Sequence, residues 1–264
     1  LTVLAFSVDR LDTRFSGQLL TVVPTWVFEA GFAGLATAWM IYLGFVLFFY
    51  CADGFAADKR NNAMLFWKSM PVSDFRILLS KLVASITILP GAVYVVAMVS
   101  ILLMFGVAYV TTMLAGLGSG SLLGSIIGIY GQMSVVFLVV LVCALLWYLP
   151  YMALVGAMAT AVGRWAIPVA ILLPSLVSAL EWVTLGGRHP FATATWAFLD
   201  YRSRLPVATD YIERVFDGAE TLDSWVFMTS FLRSFDWLQV GIGAVFALFV
   251  LYIASEYRRR AAAN

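Results

Sequence analysis

Charge is what this sequence has least of. Only 12% of its 264 residues are Asp, Glu, Lys or Arg, against about 25% in a soluble domain. The three lysines are Lys59, Lys68 and Lys81, and none completes a G-x-x-x-x-G-K-[ST] phosphate loop, so the chain is not its own P-loop ATPase. The single histidine, His189, stands between Arg188 and Pro190 and reads as a solvated loop residue. A lone histidine makes neither a zinc site nor a Ser-His-Asp triad. No G-x-S-x-G elbow and no H-E-x-x-H occurs. The two cysteines, Cys51 and Cys143, lie in apolar stretches and read as buried thiols, with no disulfide framework or metal site behind them. No basic cluster is large enough to grip a phosphate backbone, which excludes nucleic acid as a partner. No catalytic, cofactor-binding or metal-binding residue is therefore assigned in this chain.

Apolar and aromatic residues fill the space left. They make up 62% and 15% of the chain, and a soluble protein of this size could not hide so much apolar surface. Low charge and abundant aromatics also exclude disorder. The composition predicts an all-α integral membrane protein, a polytopic helix bundle forming one domain over 1–264. A helix needs about 20 apolar residues to cross a hydrocarbon core about 30 Å thick. Residues 30–52 carry no charge and make one span. From Leu82 to Gly163 there is again no charge, and the run Gly116-Leu117-Gly118-Ser119-Gly120-Ser121 supplies the necessary turn. That divides the stretch into spans within 82–113 and 123–160. Both exceed the bilayer's need, so projecting ends, tilts or kinks are expected, with Pro90-Gly91 and Pro150 as kink points. Trp165 and Trp182 bracket a fourth span at 166–182, and the fifth runs from Leu238 to Ser255.

The basic residues set the orientation. The 53–81 loop, Arg164 and Arg258–Arg260 together hold nine Lys/Arg against four acids, and the opposite side holds seven against eleven. The first side is predicted to be cytoplasmic, with the C-terminus. Five spans then place residue 29 outside, and residues 1–8 read as the outer end of an earlier, sixth span or as an interfacial segment. The 187–236 segment lies outside, with mixed charges and spaced aromatics that predict short amphipathic helices on the outer surface. Glu181 is the one charge that comes near a membrane depth. It is the candidate pathway or gate residue, although a carboxylate beside Trp182 at an outer boundary also reads as a snorkelling group. Gly116, Gly120, Gly124 and Gly128 recur every four residues, and predict a smooth helix face for close packing, chiefly within the chain.

The informative stretch is residues 57–82. A short helix over 61–70 would carry Met64, Phe66, Trp67, Lys68 and Met70, ended by Pro71, and Ser73 can cap the next helix. Asp58, Lys59 and Arg60 precede it. On physics alone, two readings stand level. One is an interfacial turn anchored in headgroups by Trp67. The other is a docking knob of aromatic and Met side chains ringed by charge, suited to a partner's groove.

The run Phe66-Trp67-Lys68-Ser69-Met70-Pro71-Val72-Ser73-Asp74, followed by Ile77-Leu78-Leu79-Ser80-Lys81-Leu82, resembles the membrane (permease) subunits of type-2 ABC transporters. The layout of spans, coupling loop and outer helices is similar too, whereas Asn61-Asn62 and Met70 depart from the family's commoner residues. The resemblance implies an exporter subunit of a bacterial cytoplasmic membrane, working with a second membrane subunit and separate ABC-type ATPase subunits that bind ATP and Mg. Asp58, Lys59, Arg60, Met64, Phe66, Trp67, Lys68, Met70 and Pro71 would dock the ATPase, and the chain itself would perform no covalent chemistry. Two other classes stay open: a membrane enzyme acting on lipid-like substrates, and a membrane scaffold.

Overall fold

The computed structural model describes residues 26–60, 71–115, 122–185, 193–206 and 223–261. Among these the chain is helical apart from short links and ends. The helices are α1 (Trp26–Arg60), α2 (Asp74–Leu114), α3 (Leu122–Val162), α4 (Ala166–Leu185), α5 (Ala194–Ser203), α6 (Ser224–Ser234) and α7 (Trp237–Ala261). A 3₁₀ turn, Gly163–Trp165, joins α3 to α4. Five of the helices, all but α5 and α6, are long and apolar enough to cross a membrane. The protein is an all-α polytopic bundle, as its composition predicts.

Several boundaries differ from expectation, for one reason. Spans were bounded by charge, but helices continue past the apolar zone into polar surroundings. The expected loop over 53–81 is shorter: α1 runs through Asp58, Lys59 and Arg60, and α2 already begins at Asp74. Ser73 caps α2 as expected, its hydroxyl accepting from the Arg76 amide at 3.4 Å. The glycine-serine turn holds, since α2 ends at Leu114 and α3 starts at Leu122. Pro90 and Pro150 both lie within continuous helices, as does Pro174 in α4. Gly163 has φ +59°, a conformation that favours glycine, and it turns the chain from α3 into α4.

α3 is the central helix and packs against every other one. At the end of the bundle that carries the basic residues, Leu47, Cys51 and Phe55 of α1 meet Leu78 and Leu82 of α2, Ala153 and Ala159 of α3, and Leu251 of α7. Toward the far end Phe28 and Phe32 of α1 meet Ile101 and Phe105 of α2 and Phe137 of α3. Tyr94 of α2 donates to the Ser134 carbonyl of α3, and Tyr130 of α3 donates back to Met98 of α2, both at 3.1 Å. Two polar ties fix the basic end. Lys81 Nζ donates to the Gly54 carbonyl at 2.7 Å, joining α2 to α1. The buried Arg258 of α7 lies 3.5 Å from the Asp74 carboxylate of α2. Ile41, Phe45 and Phe49 of α1, with Val99, Leu102 and Leu103 of α2, stay exposed on the outside, the apolar surface a bilayer would cover.

The glycine repeat does not behave as expected. A methyl group added at Gly124 or Gly128 would meet nothing within 4 Å, so these residues line an open face of α3. Gly116 and Gly120 lie outside the described residues. Close approach occurs instead at Gly156, where an added Cβ would stand 3.0–3.1 Å from the buried Phe55 ring. Gly156→Ala should therefore wedge α1 from α3 and destabilise the chain by about 1–3 kcal/mol. Gly128→Ala should leave the isolated chain unchanged. Thermal unfolding of both variants in detergent checks the contrast, and equal midpoints would refute it.

Candidate functional site

Of the expected docking residues, Met64, Phe66, Trp67, Lys68 and Met70 lie outside the described residues. Their flanks are defined. Asp58, Lys59 and Arg60 form the last turn of α1, and Pro71 is exposed on the short link to α2. The Lys81–Gly54 hydrogen bond holds the two helix ends side by side, so the 61–70 segment leaves and returns at the same end of the bundle. An open depression of about 320 Å³, lined by Val72, Arg76, Ile77, Ser80 and Lys81, adjoins that point.

Glu181 lies at the α4–α5 junction. Its carboxylate accepts from the Ala194 amide at 2.9 Å and from the Thr195 amide at 3.1 Å, the first two residues of α5. Thr193 caps the same helix by accepting from the Trp196 amide, and its hydroxyl lies 2.6 Å from that of Ser178 in α4. The first N–H groups of a helix have no partner within it, and a carboxylate there also meets the positive end of the helix dipole. Glu181 thus ties the start of α5 to α4.

The other end of α5 is held by α3. The last carbonyls of a helix lack donors of their own, and here two aromatic residues of α3 supply them while a third reaches a carbonyl one turn earlier. Trp147 Nε1 donates to the Arg202 carbonyl at 2.8 Å. The Tyr148 hydroxyl donates to Ser203 at 2.7 Å, and that of Tyr151 to Leu199 at 3.4 Å. Glu181 stands about 22 Å along α4 from its start, and Trp147 about 22 Å along α3 from its end. α5 therefore bridges its two neighbours at matching heights above the α3–α4 turn.

Arg202, near the end of α5, turns inward and is 2% exposed. Its guanidinium carbon lies 4.2 Å from the Trp147 ring centroid, a favourable cation–π placement in a desolvated setting. Nη1 donates to the Gln239 carbonyl of α7 at 3.0 Å. Nη2 lies where a Cβ on Gly243 would have to stand, so a side chain at that position would displace the end of Arg202. Among the described residues Nε and Nη2 have no hydrogen-bond partner. Burial pulls the guanidinium's pKa below its ordinary value, while Tyr151, Tyr201 and Asp236 act the other way. The insertion occurs where α6 gives way to α7. Asp236 accepts from the Gln239 amide at 3.1 Å, capping α7, and from the Tyr201 hydroxyl at 3.0 Å. Phe231 and Phe235 close the knot against Trp147.

Sequence reasoning placed Arg202 among solvated charges of the outer segment and gave Trp147, Tyr148 and Tyr151 no role. The available signal was three ring donors within five residues of an uncharged run. Comparison with protein-family models, curated proteins and solved structures finds no match to this chain.

The arrangement is a polar knot that fastens α5 to α3, α4 and the α6–α7 junction. Among the described residues no group of His, Cys, Asp and Glu could hold a metal ion. Trp147→Phe should strand the Arg202 carbonyl and cost about 1–3 kcal/mol of stability, read as a lowered unfolding midpoint in detergent. Glu181→Ala should speed hydrogen–deuterium exchange at the Ala194 and Thr195 amides while sparing α3. Unchanged exchange there would mean the carboxylate does not hold α5.

Proposed function

We propose that this chain is the membrane subunit of an ATP-driven exporter of the type-2 ABC class. The observation that supports it is the residue pattern over 57–82 on the link between α1 and α2, whose polar ends extend beyond the apolar zone. In this reading the basic end is cytoplasmic, by the excess of Lys and Arg there, and the membrane is the bacterial inner membrane. Phe66, Trp67 and Met70 enter a groove on a separate ATPase subunit. Asp58, Lys59, Arg60, Met64 and Lys68 surround them, and Pro71 ends the knob. A buried aromatic centre with a charged rim suits a stable interface.

The mechanism is mechanical. ATP and Mg, held by the ATPase pair, draw those subunits together and move the docking segments. The displacement enters the bundle through α2, whose base is tied to α1 by Lys81 and to α7 by Asp74 and Arg258. A second membrane subunit supplies the other half of the transport path.

Gentle detergent purification from the native host, with mass identification of co-eluting proteins, tests the class. An ATPase subunit at similar abundance is the expected result, and its absence under several mild conditions with folded protein would sink the reading. Trp67→Ala should weaken docking by about 2 kcal/mol if Trp67 is the hot spot, about 30-fold in affinity. Arg258→Gln should leave the complex assembled and hydrolysing ATP while transport falls, which vesicle assays of both activities would separate.

A further inference from the structure

One face each of α3, α5 and α7 meets around a gap. Pro150 and Leu154 of α3 stand one turn apart, as do Phe198 and Arg202 of α5, and Ile242 and Phe246 of α7. Gly243 brings no side chain to the same place. The three faces enclose a cavity of about 190 Å³ whose walls are carbon throughout. Arg202 contributes the stem of its side chain, while its guanidinium is taken up in the knot with Trp147, Gln239 and Gly243. Such a space offers nothing to water, which needs two or more polar partners. An apolar cavity of about 150 Å³ stays dry and takes benzene or xenon instead. The guest that fits here is hydrocarbon.

Depth decides which hydrocarbon reaches it. Ile242 and Phe246 lie about 24 and 18 Å along α7 from Arg258, within the reach of a hydrocarbon core about 30 Å thick. Both belong to the exposed apolar flank of that helix, with Val245 and Phe249 beside them. The mouth therefore opens sideways on the surface a bilayer would cover. Leu154 lies about 12 Å from the end of α3, and α5 crosses α3 about 22 Å from that end. Phe198 and Leu199 thus roof the cavity on the side away from the basic end. A headgroup has no way down past that roof, whereas a lipid tail can enter from the flank.

We propose that an acyl chain of a membrane lipid occupies this cavity, entering past Ile242 and Phe246 and packing beneath Phe198 and Leu199. The chain completes the contact between α3, α5 and α7 at the place where Gly243 leaves it open. The inference rests on the membrane bundle and not on the transporter reading, so either can fail without the other.

The test uses the full chain in phosphatidylcholine nanodiscs in which part of the lipid carries a diazirine at the end of one acyl chain. After irradiation, peptide mass mapping locates the attached lipid. Leu154 and Leu199, which line the cavity and are half-buried, should carry label, and the fully buried Leu251 should carry none. Leu172 and Leu176, on the open side of α4, give the bilayer reference. Ile242→Trp sets a bulky ring at the mouth from an exposed position, and Leu154→Trp fills the interior. In each variant label at Leu199 should fall to the level of Leu251, with label on α4 unchanged. Ile242→Trp decides the matter if Leu154→Trp does not fold. Label at Leu154 and Leu199 no greater than at Leu251 in wild type, or undiminished label at Leu199 in folded Ile242→Trp, would overturn the proposal.

Discussion

A helix that ends among apolar neighbours leaves carbonyls that water cannot reach, and something must donate to them. The Arg202 carbonyl near the end of α5 is in that position, and its bond from Trp147 is buried. The final turn of α5 lies against the middle of α3, and Trp147, Tyr148 and Tyr151 each bring a polar hydrogen on a largely apolar ring. Aromatic donors suit the task because the ring packs as core while its edge serves the backbone. Trp147 shows both halves: it is fully buried, it packs edge-on to Tyr201 and tilted against Phe235, and it donates to the Arg202 carbonyl. The opposite end of α5 is met by an anion, Glu181, in keeping with the sign of the helix dipole. One short helix is thereby fastened to α4 by charge and to α3 by ring donors.

The bundle holds its polar ties at two levels. At the basic end, Lys81 and the Asp74–Arg258 pair bind α2 to α1 and α7. Higher up, the α5 knot joins α3, α4, α5 and the α6–α7 junction. Between them lies packing of the Leu, Phe and Ala kind, which has no direction and permits sliding more readily than a hydrogen bond does. α2 and α3 are the exception, stitched by the reciprocal Tyr94 and Tyr130 contacts.

The spans were legible because hydrophobic length is local information. The uncharged stretch from Leu82 to Gly163 with glycine and serine near its centre dictates two helices and little else, and Ser73 before Asp74 dictates a start. What was not legible depends on residues distant in sequence. Arg202 reads as solvated until Trp147, 55 positions away, and Gln239 and Gly243 of α7 are brought around it. Glu181 reads as a lone carboxylate until the start of α5 returns to it. The glycine repeat misled because spacing tells which residues share a face and not whether a neighbour comes to that face. Gly124 and Gly128 have open space before them, while Gly156, outside the repeat, meets Phe55.

Gly243 carries a consequence for motion. The Arg202 guanidinium sits in a notch of α7 that exists at one residue. Were α7 to slip along its axis by one turn, about 5.4 Å, Gln239 or Ala247 would come to that place, and either would bring a Cβ where the notch had none. A ratchet of α7 past α3 would therefore have to push the end of the Arg202 side chain aside first. α3, α5 and α7 are keyed at one residue by a side chain that is missing there, and the long arginine is the part of that key that can yield.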